Sequence, residues 1–431
     1  MVAVSALFGS LAVSLGFLFW NLVVVVFFFA CFHWLRRLAL LPTQKQFQYA
    51  VFFLSFGIRS FVMLGLHIAF HEITGTSFDV EATDAWEFHG TGVELSRQLW
   101  QGKLDFLALT RGWRDSFDDM GYGIFLGLVY SLFDNSIIIA RLVQCVLDSL
   151  SVILIYKITQ TIWEEKIARF AAMLSMIFPL QVFYVALHAK ETLMIFCLLL
   201  GILAGYRLSN RISLTSLVMI VFSAIGLASM RSVLLFIFVT SILIFYTLKR
   251  SKSIVYRGTA AVLFCVSLIL SITYFGIDRD LYPKARRLVG LEEDATLGGR
   301  SLALVASRGQ SAAELASLPI LALNGLQAPY PSMVRTNIKY FDQTLQWWQI
   351  GALFSWGFLV FFGFYGLYYS LRFHFTESLL LTTLLVGYTA ALITSVYVMS
   401  IRYNIIKMVL FIPFIAVGMV RLPRNRMRFN V

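Results

Sequence analysis

Apolar residues in this chain form continuous runs separated by short basic links, and they do not alternate with polar ones. Runs near 7–31, 49–70, 137–156, 167–187, 192–206, 212–229, 232–248, 258–277, 348–371, 378–400 and 403–420 approach the roughly 20 residues that a helix needs to cross a bilayer. The pattern predicts an all-α polytopic membrane protein with about 11 transmembrane helices. Continuous runs disfavour a β-barrel, whose strands alternate apolar and polar positions, and an open sheet edge is not tolerated in lipid. Two polar excursions interrupt the series, at 71–120 and 278–347, and only there is sizeable water-exposed structure expected. The stretch from Gly121 to Phe133 is apolar but only 13 residues long. It reads as a re-entrant or interfacial helix, because a crossing there would invert the side of every later loop. No repeat of fixed period is found, so residues 1–431 read as one membrane domain carrying two large outer loops.

Composition agrees with the pattern. With 59% hydrophobic and 13% charged residues, the chain falls well below the roughly 25% charge of soluble domains. The net charge of +12 would suggest nucleic acid in a soluble protein. Here the bases occupy the links, where they report sidedness, and no nucleic-acid partner is expected. The segment from His71 to Met120 holds ten acids against four bases, which places it outside. Arg36, Arg37 and Lys45, then Arg207 and Arg211, the cluster Lys249 to Arg257, Arg372 and the tail from Arg421 all fall inside. That alternation leaves Lys190, Glu191, Arg231 and Arg402 on the outer side. The expected location is a bacterial cytoplasmic membrane, crossed many times. The apolar start, with Arg36 and Arg37 as its first bases, fits a retained first span better than a cleavable signal. Cys31, Cys145, Cys197 and Cys265 each stand alone, so neither a disulfide nor a zinc framework is implied.

The densest chemical signal lies outside the second span, where Asp79, Glu81, Asp84 and Glu87 are interleaved with Trp86, Phe88 and His89. Carboxylates beside interfacial aromatics suit acid–base work on a lipid head group, although an acidic, solvated loop gives the same pattern. Arg59 and Arg141 lie within spans and invite structural pairing, with Asp148 near Arg141. His67 and His71 share a helix face but lack a third metal ligand at familiar spacing. No GxxxxGK[ST], GxGxxG after a strand, or GxSxG is present, so nucleotide-driven transport and serine hydrolysis lack their usual parts.

Asp84 followed by Phe88, then Gly121-Tyr122-Gly123 running into Tyr130 to Ser136 and Arg141, resembles the amino-terminal module of GT-C membrane glycosyltransferases. The likeness is to bacterial family 39, or protein-mannosyltransferase-like, members. It continues through Phe178-Pro179, Lys190-Glu191, Pro329-Tyr330-Pro331, Trp347-Trp348 and Arg402-Tyr403. The chain departs at Gly123, where the family often has Pro, and at Asp134, where it often has Gly. The resemblance implies transfer, with inversion, of a sugar from a polyprenyl-phosphate donor to an envelope glycan, lipid or protein at the outer face. It makes Asp84 the general base, with Asp79 and Glu81 as neighbouring catalytic candidates. The leaving phosphate then needs fixed cations, for which Lys190, Arg231 and Arg402 are the candidates because each interrupts an apolar stretch on the outer side. No cofactor is required by the mannosyltransferase-like members; a divalent cation on Asp79, Glu81 and Asp84 is the alternative that oligosaccharyl-transferring members suggest. The loop at 278–347 is a candidate cover or acceptor site. Two other readings share the topology: an O-antigen-polymerase-like or ligase-like enzyme using a lipid-diphosphate oligosaccharide, and a flippase or transporter for a lipid-linked sugar.

Overall fold

The computed structural model describes residues 26, 29–31, 33, 35–78, 83–103, 120–250, 343–394 and 401–426. A 3₁₀ turn, Arg36–Leu40, precedes the helices α1 (Gln44–Thr74), α2 (Thr83–Gln101), α3 (Met120–Phe133), α4 (Ile137–Ile162), α5 (Glu165–Ile177) and α6 (Pro179–Ala186). Then follow α7 (Glu191–Asn210), α8 (Leu214–Met230), α9 (Ser232–Arg250), α10 (Gln343–Phe373), α11 (Phe375–Thr394) and α12 (Ile401–Arg426). No strand occurs among the described residues, and the all-α polytopic expectation holds. Six of these helices are long and apolar enough to cross a membrane, or seven spans if the bent pair α5–α6 counts as one. The remaining expected spans include 258–277 and most of 7–31, which lie outside the described residues.

Local chemistry sets the helix ends. Thr43, Ser136 and Ser213 are N-caps whose hydroxyls accept from the backbone N–H of Gln46, Ile139 and Ser216, which satisfies donors that have no intrahelical partner. Helix α1 stops at Gly75, which adopts a left-handed φ of 67° that costs glycine little.

The expected span 167–187 is broken. Phe178-Pro179 ends α5 and starts α6 at an angle of 48°, because proline supplies no N–H to continue the ladder. The carbonyls freed by the break are taken up by Arg59, which donates to Met176 O at 2.9 Å and Ser175 O at 3.3 Å. Its charge is met by Asp148, which also accepts from Gln181 Nε2 at 2.9 Å. Asp148 therefore pairs with Arg59 rather than with Arg141, the partner suggested by sequence proximity. Arg141 instead reaches Ser77 O at 2.6 Å and His67 Nδ1 at 3.1 Å, so His67 has a structural role.

Elsewhere packing is close. Helices α10 and α12 approach until a side chain at Gly366 or Gly418 would strike the backbone of Phe414 or Phe362, as small residues permit in membrane bundles. The main core gathers α4, α5, α7, α9, α11 and α12 around residues such as Tyr156, Met173, Leu198, Phe238, Leu384 and Phe411.

Apart from the Arg59–Asp148–Gln181 group, the main cross-helix polar contacts fall at two ends. At one, Arg421 pairs with Glu164, Arg169 reaches Ala39 O, Lys249 meets Ser209 and Asn210, and Tyr206 donates to Glu377 O. These are the segments that the charge pattern expects inside, and we call this the inner end. The outer end gathers Ser77, Asp84, His188, Lys190, Met230 and Arg402. Helix α3 touches outer-end residues along its length, Gly121 against Ser229 and Tyr130 against His188.

Candidate active site

Four of the outer-end groups are brought to the site by the beginnings of helices. Asp84 sits in the first turn of α2, Lys190 caps α7 and is followed by Glu191, Arg231 immediately precedes α9, and Arg402 opens α12. Helix N-termini carry partial positive charge and orphan N–H groups, so the converging ends favour an anion.

Arg402 is the hub. Its Nη1 donates to Asp84 Oδ2 at 2.6 Å and its Nε to Glu191 Oε1 at 2.7 Å. The two carboxylates differ in access, since the Asp84 side chain is 53% exposed and that of Glu191 only 1%. Glu191 Oε2 is buried without a hydrogen-bond partner among the described residues. The backbone of Arg231 is extended at the break between α8 and α9; its N–H closes on Leu227 O at 2.7 Å, and its carbonyl accepts from Leu234 N at 3.0 Å. That bend aims the guanidinium at Tyr403, with Cζ 4.1 Å from the ring centroid, a cation–π contact. Tyr388 donates to Tyr403 O at 2.9 Å, which ties α11 to the same corner. Lys190 is buried, with Nζ on Met230 O at 3.3 Å. Burial, reinforced by Arg231, brings its ammonium down to about 7, because the charged form is poorly solvated there.

A neutral network supports this corner from beneath. Tyr130 OH lies 2.8 Å from His89 Nδ1 and 3.2 Å from His188 Nε2. The Phe78 ring packs against Trp86, His89 and His188. Burial lowers the pKa of His89 and, more strongly, that of His188, where Arg141 and His89 add to it, so neither imidazole carries charge near neutrality. Gln144 Nε2 donates to Tyr122 OH at 2.6 Å and to Ala189 O at 3.0 Å, which fixes the backbone just before Lys190. The glycines around Tyr122 now have a reason: a side chain at Gly121 would strike Ser229, and one at Gly123 would strike Thr91.

Of the residues singled out from sequence, Asp84, Lys190, Arg231 and Arg402 meet at this corner, while Asp79 and Glu81 lie outside the described residues. Among the described residues no three metal-ligating side chains cluster. Sequence reading gave no role to Glu191, although a Lys-Glu pair opening an apolar run is an intramembrane-charge signal. It also passed over Lys407, buried in α12 with Nζ 2.6 Å from Asn404 Oδ1, for which a lone lysine in an apolar run was the available sign.

Fold and site together define a helical membrane protein that gathers Lys190, Arg231 and Arg402 beside the carboxylates of Asp84 and Glu191. Residues 120–273 match the family model of dolichyl-phosphate-mannose-protein mannosyltransferases, which bears out the resemblance to GT-C membrane glycosyltransferases. The matched stretch includes Lys190 and Arg231 but neither Asp84 nor Arg402. No curated protein and no solved structure matches the chain significantly.

Proposed function

We propose that the protein transfers a sugar from a polyprenyl-phosphate carrier to a cell-envelope acceptor at the outer face of the cytoplasmic membrane. The observation that carries this reading is the meeting of Lys190, Arg231 and Arg402 with Asp84 at four helix beginnings. In the reaction an acceptor hydroxyl attacks the anomeric carbon from the face opposite the phosphate, its proton passes to Asp84, and the bond from the anomeric carbon to the phosphate oxygen breaks. Inversion follows from that geometry. The negative charge stays on the departing polyprenyl phosphate and is met by Arg402, Arg231 and Lys190, which are cationic donors at fixed positions. Asp79 and Glu81 are retained as auxiliary carboxylates of the same loop.

The resting ion pairs add a sequence of events. Arg402 has five N–H groups but answers two carboxylates with a single positive charge, so an arriving phosphate is bound best if one of those carboxylates leaves. Water reaches Asp84 far better than Glu191, and Asp84 is therefore the partner that yields. Its release frees a carboxylate oxygen to accept the proton of the acceptor hydroxyl, so donor binding prepares the base.

The test is a membrane assay with a panel of radiolabelled polyprenyl-phosphate sugars, scoring label in envelope glycan, lipid and protein. Transfer that requires Arg402 and Lys190 is expected. Use of a lipid-diphosphate oligosaccharide in place of every monophosphate donor would overturn the reading in favour of a polymerase-like or ligase-like enzyme.

A further inference from the structure

The inner end holds a cavity that the transfer reaction does not use. The 3₁₀ turn Arg36–Leu40 folds back over the start of α5, where Arg169 fixes it by donating to Ala39 O at 2.9 Å and Leu41 O at 2.6 Å. The same guanidinium holds Glu165 at 2.8 Å, and Tyr156 and Gln160 complete the shell of that carboxylate. Between turn and helix opens a cleft of about 790 Å³, lined by His33, Arg37, Leu40, Lys166 and Phe170 as well as the Arg169–Glu165 pair.

The charges and the walls point to one kind of occupant. Arg169 compensates Glu165, and the other acid of the α4–α5 turn, Glu164, is paired with Arg421. The net charge of the rim thus comes from Arg37 and Lys166, both exposed. Leu40 is 81% exposed, an apolar wall beside two cations at the end of a membrane bundle. We propose that this cleft is a headgroup site for an anionic phospholipid, its phosphate on Arg37 and Lys166 and its acyl chains along Leu40 and Phe170. Basic pockets between spans at the inner side suit such lipids, and an acyl chain would cover the apolar wall that a free phosphate ion leaves in water. The proposal is independent of the sugar-transfer reading, because it uses none of the outer-end residues.

The test uses the full chain in neutral detergent, titrated with phosphatidylglycerol, phosphatidylcholine or the soluble headgroup glycerophosphoglycerol. Lipid retention is read by native mass spectrometry and unfolding by thermal shift. Phosphatidylglycerol is expected to be retained in preference to phosphatidylcholine and to raise the midpoint. The double variant Arg37→Gln/Lys166→Gln should weaken its binding by about twenty-five-fold, about fivefold per charge. Arg207→Gln/Arg211→Gln, a basic pair at the same end but away from the cleft, should leave it unchanged. Equal loss in both double variants, full retention in the first, or equal binding of the soluble headgroup would each overturn the proposal. Because both rim residues are exposed, the first variant should fold; if it does not, the wild-type preference for phosphatidylglycerol over phosphatidylcholine and over the headgroup alone decides.

Discussion

Replacing Asp84 with Asn separates the proposed roles of this corner because the geometry makes opposite demands on binding and on chemistry. The amide keeps the size of the carboxylate and most of its hydrogen bonding but accepts no proton in the transition state. Loss of a general base costs roughly 10²-fold or more in turnover, about 2.7 kcal/mol of barrier. The stability cost should be small. Asp84 is 53% exposed, and a pair that open to water contributes at most about 1 kcal/mol. Arg402 moreover keeps its buried partner Glu191 at 2.7 Å.

Donor binding should not weaken. On the proposed order of events an incoming phosphate displaces Asp84 from Arg402, whereas in Asp84→Asn no ion pair needs breaking, so the donor KM should stay level or fall while kcat drops. The assay is initial-rate transfer from a polyprenyl-phosphate sugar in detergent, with insertion checked by yield and melting midpoint. Asp105→Asn, in the same acidic segment, serves as control. Near-normal turnover in well-folded Asp84→Asn would refute the base assignment. A large rise in donor KM with unchanged kcat would instead make Asp84 part of the phosphate site and refute the displacement argument.

Lys190 should impose a pH dependence on donor affinity: its ammonium titrates near 7, and a sugar phosphodiester keeps its single charge through that range. Affinity measured by donor titration should fall about tenfold between about pH 6 and about pH 8, as the charge is lost with rising pH, and Lys190→Arg should flatten the curve; a wild-type curve as flat as the variant's would refute it. At the α3–α4 turn, Asp134 and Asn135 adopt left-handed φ of 51° and 57°. Asp134→Gly should therefore raise the melting midpoint by the equivalent of about 0.5–1 kcal/mol, and a lower midpoint would mean that the carboxylate makes a stabilising contact. Asp148→Ala leaves the Arg59 guanidinium buried without its carboxylate and should cost about 3–5 kcal/mol, read as lost yield and a lower midpoint. A variant as stable as the wild type would show that the carbonyls at the α5–α6 break suffice to hold Arg59.

The fold was legible where a single signal sufficed. Runs of about 20 apolar residues mark spans because the bilayer fixes their length. The break inside the span 167–187 carried a visible sign, Pro179, but its repair did not. Arg59 reaches the freed carbonyls from a position more than a hundred residues earlier in the chain, and nothing local announces that partnership. Asp148 shows the same limit. Sequence proximity favours Arg141, yet side chains seven residues apart on a helix share a face without being bound to pair, and the contact between α1 and α4 decided for Arg59.

The candidate site was legible to the extent that charge is costly in a membrane. Lys190, Arg231 and Arg402 stand out because each interrupts an apolar stretch, and an ionisable group persists there only when something answers it. What answers them is three-dimensional. The two carboxylates that meet on Arg402 lie at the starts of α2 and α7, and no spacing rule links those positions. Nor does sequence distinguish an exposed carboxylate that can leave from a buried one that cannot, although the proposed order of events depends on that difference. Both sit in the first turn of a helix, favoured there by the same partial positive charge. Only packing separates them: the start of α7 is enclosed, with Gln144 on Ala189 O and Lys190 on Met230 O, while the start of α2 is open to water. The same helix beginnings that hold the resting carboxylates would hold a phosphate, so displacement of Asp84 exchanges one anion for another without leaving the cations uncompensated.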